Sequence, residues 1–163
     1  MSSPSPQIQS ITDALQHYAK RAVFRGFAPA EEKKNQASYR MVWHRDQRFE
    51  FFADITKGTL RIPVVLPNVP NDSDMYAAFK EYVKRRCDQA LPDHRKIDET
   101  KTNIKVLNRQ GNISLTAKVL DDDFDYGTRK LVHLVHEIYM DFLMDGRNYD
   151  YLVETFDLDP DGL

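Results

Sequence analysis

Three short alternating runs between Tyr39 and Leu66, joined by turns too short for a crossover, constrain this chain more than any other feature. Tyr39, Met41 and Trp43 alternate with Arg40, Val42 and His44. Phe49, Phe51, Ala53 and Ile55 alternate with Arg48, Glu50, Phe52 and Asp54. Leu60, Ile62, Val64 and Leu66 alternate with Arg61, Pro63 and Val65. A side-chain period of two puts each apolar set on one face of a strand. The turns at residues 45–47 and 56–58 allow only antiparallel neighbours, because a parallel pair needs a crossover of a dozen or more residues. The expectation is a three-stranded meander. Pro63 donates no ladder hydrogen bond, so it belongs at an edge or a bulge.

The remaining elements arrange themselves around that meander. Ile8, Ile11, Leu15, Tyr18 and Ala22 recur at helical spacing and predict an amphipathic first helix that stops before Gly26. Residues 29–36 (PAEEKKNQ) read as a charged loop. Asp72 or Ser73 can cap a second helix, with Met75, Phe79, Tyr82 and Val83 inward. Ile104 and Val106 pair with Ile113, Leu115, Ala117 and Val119 as a hairpin around residues 108–112. Residues 128–145 (TRKLVHLVHEIYMDFLMD) form the longest helical run, about 27 Å at 1.5 Å per residue. Gly146 follows as a C-cap, and Tyr149, Leu152, Val153 and Phe156 suggest a short further helix.

The order α-β-β-β-α-β-β-α, with one apolar face per element, describes an α+β two-layer domain: an antiparallel sheet packed against helices. One domain is expected over residues 8–156. A disordered Ser/Pro-rich segment (1–7) precedes it and an acidic tail (157–163) follows. This order resembles the YbjN-type domains of bacteria and the related type III secretion chaperone-like fold, over residues 8–145. The resemblance rests on element order and helix placement, and fold alone does not assign a function. It implies a non-enzymatic protein, often a homodimer, that binds a partner polypeptide or contributes to its stability or regulation.

Composition narrows the setting. Apolar content of 41% and charge of 29% are those of an ordinary globular protein. No stretch approaches the roughly 20 apolar residues that span a bilayer, and MSSPSPQ lacks the basic and apolar regions of a secretory signal. Cys87 has no second cysteine to pair with, which agrees with a reducing compartment; the cytoplasm is the expected location, with no membrane contact. Residues 121–163 hold twelve acidic groups against Arg129, Lys130 and Arg147, a balance of −9; the net −2 of the chain therefore leaves +7 for residues 1–120. Secretion chaperones are typically acidic throughout, and the first 120 residues depart from that.

The long helical run also carries the residues that most resemble a site. His133, His136 and Glu137 give His-x-x-His-Glu, which matches neither the His-Glu-x-x-His zincin order nor its inverted form. No metal and no cofactor are expected. Stepping roughly 100° per residue from Leu131, one half of the girth is apolar. His133, His136, Met140 and Met144 fall on the far side, beside a narrow polar strip of Lys130, Glu137 and Asp141. A helix amphipathic over so much of its girth packs on two sides. The second face is covered by the 149–156 segment folding back, a symmetric partner or a bound peptide in a methionine-bearing groove, or is simply exposed. These four residues are the expected partner or dimer surface.

Two acidic runs imitate calcium loops. Residues 157–162 match positions 1, 3, 5 and 6, and Asp121, Asp123 and Asp125 are similarly spaced, but both lack the late bidentate Glu. The rival binding function is single-stranded nucleic acid on the outward face of the meander, through Arg40, His44, Arg48, Phe52 and Arg61. The pI near 6.2 and the absence of an RNP or KH pattern weigh against it. An enzyme is not expected: there is no phosphate-binding Gly-rich loop, no Gly-x-Ser-x-Gly and no Cys–His relay.

Overall fold

A computed structural model describes residues 4–88, 90–93 and 95–156 of the chain. It is an α+β protein in two layers, with one six-stranded antiparallel sheet and its helices packed on one face. The elements are α1 (Pro6–Lys20), β1 (Gly26–Glu32), β2 (Gln36–Trp43), β3 (Gln47–Asp54), β4 (Thr59–Leu66), α2 (Asp74–Arg85), β5 (Thr102–Arg109), β6 (Asn112–Val119), α3 (Phe124–Glu137) and α4 (Tyr149–Phe156). The strand order is β1-β2-β3-β4-β6-β5. Among the described residues no helix is long and apolar enough to cross a membrane. The acidic tail at 157–163, with its calcium-like spacing, lies outside the described residues.

The alternation read from the sequence sets the core face. Tyr39, Met41, Trp43, Phe49, Phe51, Leu60 and Ile62 are buried, and β6 adds Ile113, Leu115 and Ala117 to the same side. α1 and α3 lie against this face with Ile8, Ile11 and Leu15 from one and Leu131, Leu134 and Val135 from the other. The β5–β6 hairpin turns on Gln110 and Gly111, both at positive φ (55° and 88°). That pair of left-handed residues is the type I′ geometry whose twist matches the strands. Pro63 takes the bulge option, with the β4–β6 register shifting between Ile62 and Leu66. β4 as a whole lies between β3 and β6, but its ladder with β3 stops at Arg61, so Pro63 lies beyond that pairing.

Three expectations change. The charged loop over 29–36 is largely strand: β1 pairs with β2 from Gly26 opposite Val42 to Glu32 opposite Ala37. Only the first two of its residues are even partly buried, so it carries no period-two signal; β2 supplies its pairing. The first helix begins earlier than the frayed segment assumed for 1–7, since Ser5 accepts a hydrogen bond from the Ile8 N–H and Pro6 opens the helix. This is ordinary N-capping with proline in the first turn. The long helical run is also not one regular helix. It starts at Phe124, capped by Asp123 accepting from the Tyr126 N–H, and after Glu137 it becomes a π-helical turn over Ile138–Phe142.

α3 approaches the sheet closely at Gly127. A Cβ there would stand 2.9 Å from Val119 Cγ2 and 3.1 Å from Leu60 Cδ1. The end of α3 is tied to α2 by a half-buried ion pair between Glu137 and Arg86 at 2.5 Å, with Arg95 at 3.6 Å.

Candidate functional site

The side chains that seal the helix layer also define what it leaves open. Leu131, Leu134, Val135, Ile138, Tyr139, Phe142 and Leu143 are buried, so the α3–π run turns one flank wholly inward. His133, His136, Met140 and Met144 are all exposed on the other flank. Met140 is 60% and Met144 54% accessible, the two most exposed large apolar side chains of the helix layer among the described residues. All four side chains that the sequence groups are thus open to solvent.

Two elements border the strip. From α1, the Tyr18 hydroxyl lies 3.2 Å from His133 Nε2, with the two rings 6.0 Å apart edge-on. From the turn between β2 and β3, the His44 ring stands 5.4 Å from His136, and the Arg45 guanidinium reaches to 4.0 Å from the Met144 sulfur. Arg45 and Asp46 in that turn both have positive φ (56° and 57°), and this backbone course carries Arg45 toward the helix. The sequence carries no mark of that contact: residues 45 and 144 meet only because β2 ends beside the last turn of the helical run.

α4 does not cover the strip. Leu152 is buried, the Phe156 ring lies 6.1 Å from Tyr139, and the Tyr151 hydroxyl donates to the Pro67 carbonyl at 2.5 Å. The segment thus folds back against Tyr139 and the end of β4, and Met140 and Met144 stay open. Of the three covers expected from sequence, the self-cover by 149–156 is replaced by this packing.

Burial disfavours the charged form of two histidines here, His44 and His133. Burial, assisted by His136 and Arg45, pushes the His44 imidazole down to about 4. His44 stacks on Tyr139 at 4.6 Å with the planes parallel within 2°, and its buried Nε2 has no hydrogen-bond partner. Burial, then Lys130, also lowers the His133 pKa. An uncharged His44, with His133 biased toward its neutral form beside two thioethers, makes an adaptable, weakly polar surface.

Glu137 has no part in it. The carboxylate turns to Arg86 and Arg95 while His133 turns to Tyr18, so the His-x-x-His-Glu spacing is divided between two neighbours. No three His, Cys, Asp or Glu side chains among the described residues converge on a metal-sized space. Asp121 and Asp123 both hold Lys101 at 2.9 Å, an ion cluster that raises the lysine pKa. Cys87 lies just beyond α2, and burial followed by Glu99 pushes its thiol up to about 11, away from nucleophilic use.

The outward sheet face is a second, separate surface. Arg40, Arg48, Phe52 and Arg61 share it, with Arg40 opposite Glu50 and Phe52 opposite Arg61. Phe52 is 40% exposed. Among the described residues no helix lies on this face, and a shallow trough of about 460 Å³ runs over Gly26, Ala28, Arg40, Val42 and Arg48. His44 does not belong with them; it follows β2 and turns to the helix side, onto Tyr139. Arg25, Arg85, Arg86, Arg95, Arg129 and Arg147 are in ion pairs, whereas Arg40, Arg48 and Arg61 are in none among the described residues.

Compared with protein-family models, curated proteins and solved structures, the chain shows no significant match.

Proposed function

We propose that this chain is a non-enzymatic, cytoplasmic protein-binding domain of chaperone-like or regulatory type, working as a homodimer on a partner polypeptide. The observation that carries the reading is the open strip of His133, His136, Met140 and Met144 on a helix layer that is otherwise sealed. Paired thioethers at helical spacing suit a groove that receives apolar anchors of a peptide. Arg45 at the rim, beside Met144, favours a segment whose anchors are flanked by acidic residues. The YbjN-like element order, to which β1 adds one edge strand, points the same way.

The test is affinity capture with the wild-type chain and the double variant Met140→Glu, Met144→Glu, the retained proteins being compared by mass spectrometry. Proteins retained by the wild type and lost by the variant support the reading. Equal retention by both, or recovery of nucleic acid with no protein, refutes it. Both side chains are exposed, so the variant should keep its stability within about 0.5 kcal/mol.

Three unpaired arginines beside an exposed Phe52 favour one second reading, a single-stranded nucleic acid on the outward sheet face. Glu50, opposite Arg40, weakens the positive field there. Salt-dependent binding abolished by Arg48→Glu and Arg61→Glu would establish that reading over the first.

A further inference from the structure

The two edges of the sheet are built differently. β1 is a protected edge: Pro29 has no N–H to offer, the ladder shifts register between Pro29 and Glu31, and Glu31 and Glu32 follow. These are the usual devices against pairing with another chain. β5 has no proline and no bulge, and its charges are limited to Lys105 and Arg109. It is eight residues long, contains neither Pro nor Gly, and pairs with β6 without a register shift from Thr102 to Arg109.

The hydrogen-bond phase of β5 follows from two contacts. The Leu120 N–H donates to the Lys101 carbonyl, and the Val119 N–H donates to the Gly58 carbonyl on the other side. In an antiparallel ladder the bonded residues alternate. Asn103, Lys105, Leu107 and Arg109 therefore spend their backbone groups on β6, and those of Ile104, Val106 and Asn108 point outward from the sheet. No other backbone group in the described residues takes up those N–H groups.

We propose that this edge receives β5 of a second copy of the chain, antiparallel and about a two-fold axis at Val106, joining the two sheets into one. The inference rests on the homodimer in the functional reading above and places its interface away from the methionine strip. That register pairs Ile104 with the partner's Asn108 and Val106 with the partner's Val106. All three free residues of each strand are then used, for about six backbone hydrogen bonds at two per pair.

Charge selects the same register. On the outward face Lys105 comes to lie opposite the partner's Leu107, and Arg109 opposite the partner's Asn103. A shift by one pair in one direction sets Lys105 against the partner's Lys105, and in the other against the partner's Arg109. Like charges directly opposite destabilise a strand pair, so the Val106-centred register keeps all three bonded pairs without one.

The experiment is light scattering on the purified full chain, with no partner present, at about 100 μM, for the wild type, Val106→Pro and Leu107→Lys. Val106→Pro removes an N–H that β6 does not use. Leu107→Lys is an exposed change that sets a lysine against the partner's Lys105 and keeps the strand a good ladder former. The wild type should show twice the 19.0 kDa chain mass. Both variants should weaken the dimer at least about tenfold. Amide exchange at Ile104 and Val106 should be slow in the wild type and at least about tenfold faster in Leu107→Lys, whose near-native circular dichroism shows that it remains folded. A monomeric wild type, or a dimer that Leu107→Lys leaves intact, overturns the proposal. Met140→Glu with Met144→Glu should leave the dimer unchanged; its loss in that variant would also overturn this placement. Because capture by the methionine strip is read separately, either idea can fail alone.

Discussion

Acidifying the protein from pH 7 to pH 5 should unmask His44. In the folded chain the imidazole lies between Trp43 and Tyr139 and stays neutral until about pH 4. In the unfolded chain it takes its proton near 6.5. Between those values the unfolded state binds more protons, so stability falls as pH drops from 6.5 and levels off below about 4. With about 1.36 kcal/mol for each pH unit inside the window, the loss from pH 7 to pH 5 is about 2 kcal/mol. Burial lowers the His133 pKa as well, so the informative quantity is the difference between the wild type and His44→Phe. Phenylalanine keeps the stack on Tyr139 and removes both the proton site and the unpartnered Nε2. Urea unfolding at half-unit pH steps should show the wild type losing about 2 kcal/mol more than the variant. Stability curves that run parallel for the two proteins would refute the buried neutral imidazole.

Two further outcomes test how the strip is held in place. Gly127→Val should destabilise the protein by about 1–3 kcal/mol in thermal or urea unfolding, because even a Cβ would press on Val119 and Leu60; an unchanged midpoint would mean that α3 does not lie so close to the sheet. Glu137→Gln leaves Arg86, whose side chain is only 12% accessible, without its counter-charge. A cost of about 3 kcal/mol is expected, against a loss below about 1 kcal/mol for the exposed pair broken by Glu81→Gln.

Much of the architecture was legible because it depends on local periodicity. The inward sets of β2, β3 and β6, the first half of β4, the hairpin at Gln110–Gly111 and the Ser73 cap are all written in residues that are near one another in the chain. Past the β4 bulge the alternation expected for that strand reverses: Val65 is buried and Val64 is 41% exposed, because the extra residue shifts the phase of the side chains. β1 was not legible. An edge strand with exposed side chains has no burial alternation to display, and its partner across the ladder is what makes it a strand. The start of α3 was placed at 128 because the acidic turn before it reads as a loop; Asp123 is the cap, so Phe124 to Gly127 are helical.

The candidate strip divides in the same way. By sequence alone, a 3.6-residue spacing assigned His133, His136, Met140 and Met144 to one flank; that spacing holds within α3 but not through the π-helical turn at Ile138–Phe142, and the exposure of all four is a finding of the structure. Sequence also confined the basic residues of the meander to its outward face, with the one exception of His44. Only the tertiary structure decided what lies next to each group. It gave Glu137 to Arg86, His133 to Tyr18, His44 to Tyr139 and Met144 to Arg45, and it sent α4 to Tyr139 in place of the methionines. These are contacts between residues tens of positions apart, set by where strands end and how helices cross, and no spacing within a single element encodes them.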